Sequence, residues 1–488
     1  MTRKRVLNEI EEWVRTNSDT ENCWWITGRP AVGKSTIGAK VAKVFEDEKS
    51  LYAQYFITRN VAVTTDLDNI LPTMAQQIAE KSPLAALAIQ EKLETSPFNN
   101  YKKFSERQAE ALFLEPLRAI AQYAPKVVVV IDGVDELANA EPSVLSRVTS
   151  VLCGVISDLP ANVKVLIFSR ADHWIIAKIP LHIKRLDLAI KDSEDDVERL
   201  VRAKLRDLAE VYMWNDWPTE AEVSLLCQLA AGHLGLAATA LRWIASEIQH
   251  RGRARRDEVI KEVSRLGMGE IDDLYAFILD SILPLQDPAR KRYLEGLKTV
   301  LGCWMVLQEP LDIGSISTLL SLDDFDVPHC MKLISSLIVD GTESVTERTV
   351  PQVHKSVLNY LVSSRSHPDL RINPIEYHHA LTTICFESIR RLTFNVGHIK
   401  SSHRLDEKIS ISQGITYPCR WFGTHLEGGG QRATLEPDVE RFMKTDFLLW
   451  LEVLSLQGLV DSVTVSTLKI LEKRINVSIH LFTKYGYY

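Results

Sequence analysis

The chain has 488 residues, 57 basic against 64 acidic side chains, and a formal net charge of −7. At roughly 150 residues per domain this length calls for about three domains, and 45% hydrophobic with 25% charged residues is globular usage that argues against general disorder. The acidic balance removes the simplest electrostatic case for a nucleic-acid or anionic-membrane binder.

Seven cysteines are scattered without any C-x-x-C spacing, which predicts reduced core thiols in a cytoplasmic, reducing compartment and neither a disulfide frame nor a zinc site. No run approaches about 18 consecutive apolar residues, so no spanning helix is expected. The N-terminus Met1-Thr-Arg-Lys-Arg5 lacks the apolar segment of a secretory signal and passes into an amphipathic stretch from Val6 to Val14.

In chain order, residues 1–188 alternate short β-branched or aromatic runs with helical patterns, the signature of a mostly parallel sheet flanked by helices. The strand candidates are Cys23–Thr27, Tyr52–Thr58, Lys126–Ile131, Val163–Ser169 and Ile183–Leu186. Residues 189–290 read as helical, entered through the capping segment Asp192-Ser-Glu-Asp-Asp196. Residues 291–365 mix helices with a short strand and turn region around Ile338–Val353. Residues 366–488 are helical, broken at Gly428-Gly-Gly430 and carrying the aromatic stretch Phe447–Trp450. The densest basic run, Arg251-Gly-Arg-Ala-Arg-Arg256, reads as a solvated helix end or turn, with phosphate binding as the alternative.

The strongest chemical signal is Gly28-Arg29-Pro30-Ala31-Val32-Gly33-Lys34-Ser35, a full G-x-x-x-x-G-K-[ST] pattern. It follows a strand candidate and precedes a helix in which Ile37, Val41, Val44 and Phe45 recur at helical spacing. Glycines let the backbone curl so that its N–H groups face phosphate oxygens, and residues 28–36, Thr36 included, form the expected cradle. Lys34 is expected to reach the β- and γ-phosphates and the Ser35 hydroxyl to ligate Mg²⁺.

A second element supports it. Lys126-Val-Val-Val-Val-Ile131 is a continuous apolar run, as in a strand buried on both faces. It ends in Asp132-Gly-Val-Asp135-Glu136, which puts Asp132 at a strand's carboxyl end, where it can hold Mg²⁺ through water. Asp135 and Glu136 are candidates to orient or activate water; the alternative is that they only cap a helix start. Arg170, after the strand Val163–Ser169, can touch a γ-phosphate, or it can be an ordinary surface arginine.

Taken together, these residues resemble NACHT domains within the STAND class of P-loop ATPases. The likeness is closest to fungal NACHT proteins of NOD-like-receptor type, whose N-terminal part is nephrocystin-3-like. Leu71–Ile78 resembles the helix after the second strand, Val165–Arg170 the sensor strand, Val300–Leu311 a winged-helix entry and Val353-His354-Lys-Ser356 the winged-helix His motif. The resemblance implies an α/β P-loop domain followed by an all-α helical domain, a winged-helix domain and a C-terminal helical region. It also implies an ATP/ADP switch with Mg²⁺ and slow ATPase turnover. In the ATP state the switch would oligomerise and meet protein partners in signalling or innate-immunity-type non-self recognition, with no nucleic acid and no membrane span.

His354 would touch the ADP β-phosphate, or would sit satisfied in a core. The helical segment Gly232-His-Leu-Gly-Leu236 lacks the proline often found there, and Asn359 stands where the His motif is often acidic. Neither an N-terminal effector nor C-terminal repeats are expected within these residues. The alternative reading is a non-catalytic, nucleotide-stabilised scaffold for protein–protein interaction.

Overall fold

A computed structural model of the chain describes residues 4–16, 21–28, 32–58, 61–95, 103–137, 142–188, 194–266, 270–281, 287–320, 337, 355–399, 411–430 and 435–475. Two compact units form, Met1–Leu274 and Tyr275–Tyr488.

The first unit is organised by five strands, β1 (Cys23–Thr27), β2 (Leu51–Phe56), β3 (Val127–Asp132), β4 (Val163–Ser169) and β5 (Lys184–Asp187), in the order β2-β3-β4-β1-β5. Every neighbouring pair is parallel. The central strands β1, β3 and β4 are buried along their whole length, as their unbroken apolar runs require. Edge strand β2 alternates buried and open positions, and edge strand β5 (Lys-Arg-Leu-Asp) is largely exposed.

Period-two alternation splits the core between the two faces of the sheet. Trp25, Val129, Ile131, Val165 and Ile167 join one apolar cluster, and Trp24, Ile26, Val128, Val130, Leu166 and Phe168 the other. Helix α1 (Lys4–Arg15) covers the second face, stacking Trp13 on Trp24 at 4.8 Å between ring centroids. Helix α2 (Lys34–Asp47) lies on the same face through Ile37, Val41 and Phe45. The helix Leu67–Lys81 spans the expected 71–78 segment and buries Leu71, Met74 and Ile78 against the first face.

Strand ends shift slightly from expectation. β2 stops at Phe56, although Ile57 N–H still donates to the Asp132 carbonyl at 2.9 Å, and β3 includes Asp132, whose register partner is Phe168.

The basic run at 251–256 differs from a solvated end. Helix Leu234–Arg251 stops at Gly252 (φ 70°), helix Arg253–Val263 begins there, and two of the arginines turn inward. Arg255 pairs with Glu247 and Glu262, and Arg256 lies 5.1 Å over the Trp214 ring with Asp216 at 3.4 Å. Carboxylates and an aromatic face are better partners for guanidinium than water is once the helices close on it.

In the second unit the helices Pro374–Arg390, Gln413–Gly428 and Phe447–Leu456 share a core in which Phe386, Phe422, Phe442 and Trp450 pack ring against ring. The Gly428-Gly-Gly430 break is where the second of these helices ends. His425, fully buried, touches the Tyr417 hydroxyl through Nε2 at 2.8 Å and His378 Nδ1 through its own Nδ1 at 3.0 Å. The Gln308 N–H donates to the Tyr417 oxygen. The strand and turn expected near 338–353 lie outside the described residues, as do residues 321–336 of the expected winged helix. Among the described residues no helix is long and apolar enough to cross a membrane, and six cysteines are free thiols.

Candidate functional site

The carboxyl ends of β1, β3 and β4 meet at one edge of the parallel sheet, where an α/β fold leaves a crevice. The turn after β1 is shaped by close approach. A Cβ on Gly28 would lie 2.8 Å from Val32 Cγ1 and 3.2 Å from Leu188 Cβ, and Gly33 adopts φ +93°. Gly33 caps α2, so the N–H groups of Lys34, Ser35 and Thr36 lie in the first helical turn, without carbonyl partners inside the helix. Val32 anchors the loop by burial. Arg29, Pro30 and Ala31 lie outside the described residues, and so does His354.

Lys34 Nζ donates to the Gly28 carbonyl at 2.9 Å. Its ammonium is held below the usual lysine range, first by burial; the Arg170 charge adds to this, while Asp135, Asp132 and Glu136 oppose it. Two-residue proximity is not needed for this gathering: β4 lies between β1 and β3, yet Asp132 accepts a hydrogen bond from Ser35 across it. Burial pushes the Asp132 carboxyl up to about 6, the Ser35 bond working against that shift.

The turn after β3 is as tight as the one after β1. Gly133 has φ +83°, and its N–H donates to the Phe168 carbonyl at 3.0 Å. Asp135 and Glu136 follow in a single 3₁₀ turn, Val134–Glu136. Asp135 Oδ1 accepts the Arg170 backbone N–H at 2.9 Å and Oδ2 pairs with Arg170 Nε at 3.0 Å. The Arg170 carbonyl accepts the Ser169 hydroxyl, and that hydroxyl accepts Trp25 Nε1–H, each at 2.9 Å.

The structure therefore brings Lys34, Ser35, Asp132, Asp135, Glu136 and Arg170 into one neighbourhood. A buried carboxylate beside a hydroxyl suits Mg²⁺, which takes few protein oxygens and completes its shell from water and phosphate. Glycine turns and a helix start opposite a lysine suit a polyphosphate. Sequence reasoning missed the residues that close on the glycines: Leu188, Leu234 (3.8 Å from a Cβ on Gly33) and the Ile57 carbonyl (2.6 Å from one on Gly133). No spacing rule marks such contacts. In the sequence Trp25 and Ser169 carry only a strand signal.

The family model described as nephrocystin 3, N-terminal, matches residues 2–170, which contain all six of these residues. No curated protein matches the chain. Among solved structures, the chain is similar to a signal transduction ATPase with numerous domains carrying a tetratricopeptide repeat sensor, from Pyrococcus horikoshii. That pair has 13% identity and a TM-score of 0.44, covering 98% of this chain and 59% of the other, so the chain spans under two thirds of that protein's length. It is also similar to Cdc6p of Pyrobaculum aerophilum, with 15% identity, a TM-score of 0.31 and 78% and 93% covered. For a Walker-type ATPase of Pyrococcus abyssi the values are 14%, 0.32, 76% and 95%.

Proposed function

We propose that the chain is a nucleotide-dependent switch of the NACHT and STAND kind, binding Mg-ATP and ADP through residues 28–36 and turning ATP over slowly. In this reading Lys34 meets the β- and γ-phosphates, Ser35 and Asp132 hold Mg²⁺, Glu136 orients water and Arg170 responds to the terminal phosphate. Mg²⁺ would neutralise charge on the phosphates; the chain's own groups bind, orient and exclude bulk water. Assembly with protein partners or further copies in the triphosphate state belongs to the same proposal, as does a cytoplasmic setting.

The observation that carries it is the convergence of a lysine, a hydroxyl, a buried carboxylate and an arginine on glycine-shaped turns at the carboxyl edge of a parallel sheet. Mass spectrometry of the small molecules released from heat-denatured protein tests it. An adenine di- or triphosphate, lost together with Mg²⁺-dependent binding in Lys34→Ala, is the expected result. Unchanged nucleotide binding in that variant would falsify the reading.

A further inference from the structure

We propose that Asp135 is a positioning residue, holding Arg170 ready to meet the terminal phosphate, and is not the group that takes a proton from the attacking water; this rests on the nucleotide-binding reading above. Asp135 commits one oxygen to the backbone N–H of Arg170 and the other to its Nε. Its side chain is 4% exposed, whereas a proton acceptor must lie within hydrogen-bond reach of a water. At the level of the whole residue Asp135 and Glu136 are both half-buried, so what sets Asp135 apart is its double contact with Arg170.

Arg170 is held from three directions. Asp135 takes its N–H and its Nε, and the Ser169 hydroxyl, backed by Trp25 Nε1, takes its carbonyl. Arginine is flexible in solution, and an ordered guanidinium meets an anion without first losing that freedom. The contact with Asp135 is made through Nε, at 3.0 Å. Lys34 feels both charges, with opposite sign, which sets the pair within electrostatic range of the phosphate lysine. The Asp135–Arg170 pair thus ties the tip of β4 to the turn after β3, making the reporter arginine depend on the acid behind it.

The test is binding, not turnover. The 488-residue wild-type chain, Asp135→Ala, Asp135→Asn, Arg170→Ala and the Asp135→Ala/Arg170→Ala double variant are titrated with Mg²⁺ plus fluorescent ADP or a fluorescent non-hydrolysable ATP analogue. The expected wild-type preference for triphosphate over diphosphate is about tenfold. It collapses equally in Asp135→Ala and Arg170→Ala, with no further loss in the double variant, and Asp135→Asn, which keeps shape and can still accept the backbone N–H, loses less. Asp135→Asn also decides the matter if the alanine variant does not fold. Glu136→Gln keeps the preference and loses turnover. A preference intact in Asp135→Ala alongside lost turnover overturns the proposal, as does a wild type that binds both nucleotides equally. A wild type that binds neither overturns the underlying reading of the site, and is told apart by that.

Discussion

A Cβ on Gly133 would stand 2.6 Å from the carbonyl oxygen of Ile57, a backbone atom that cannot swing away. The same carbonyl-lined corner fixes φ at +83° immediately after Asp132. Gly133→Ala therefore meets both a left-handed-region penalty of about 1 kcal/mol and a backbone clash. We expect a lowered denaturation midpoint and, in the folded fraction, weakened Mg²⁺-dependent nucleotide binding; a variant with wild-type stability and binding would show that the turn yields.

Lys34 separates binding from stability. Its ammonium is held below its ordinary pKa mainly by burial, so its charged form is disfavoured on folding. Lys34→Met should leave the melting temperature unchanged or slightly raised while nucleotide affinity falls at least about 100-fold, the scale of a lost buried charge–phosphate contact. Calorimetric melting and a fluorescent-nucleotide titration on one preparation check both halves.

The paired histidines predict a pH response in the second unit. Burial lowers His378 to about 4 from the usual 6.5, and burial, with the His378 charge, holds His425 well below that usual value too. Between those values the unfolded chain binds more protons than the folded one. The His378 contribution to stability is thus complete above pH 6.5, declines as the pH falls and is gone below about 4. Two protonated rings would also set N–H against N–H across the 3.0 Å contact. Urea midpoints should drop between pH 6.5 and 4.5 more steeply in wild type than in His378→Asn; parallel curves would refute this.

Arg256 is read as a packing residue. Its guanidinium covers Trp214, which stacks on Tyr212 and meets Trp217 edge-on. Arg256→Ala should cost on the order of 1–3 kcal/mol in chemical denaturation and leave retention on an immobilised polyanion unchanged. Loss of polyanion retention without loss of stability would reinstate the basic run as a phosphate-binding surface.

The difference between Arg256 and β3 shows where sequence stops informing. Val127–Ile131 is legible because burial on both faces forces every residue apolar, whatever lies beyond. Gly28, Gly33, Lys34 and Ser35 are legible because their spacing carries a local mechanism. β5, with Lys184 and Arg185, has no apolar period, and only Ile183 and Leu186 mark it in the sequence; its pairing with β1 supplies what its composition does not. Whether an arginine faces water or a tryptophan 42 residues away, as Arg256 and Trp214 are, is a tertiary fact with no periodicity behind it. The same holds for Asp135: the acid was visible, but its commitment to Arg170 depends on how β4 lies against the turn after β3.

The strand order gives that last arrangement a mechanical meaning. β1 and β3, which end in the two glycine turns, share no ladder; each is hydrogen-bonded to β4. A tug on one turn reaches the other by the stiff route through the middle strand, whose tip is Arg170. The arginine proposed to meet the terminal phosphate therefore also stands at the end of the beam on which both halves of the crevice are hung.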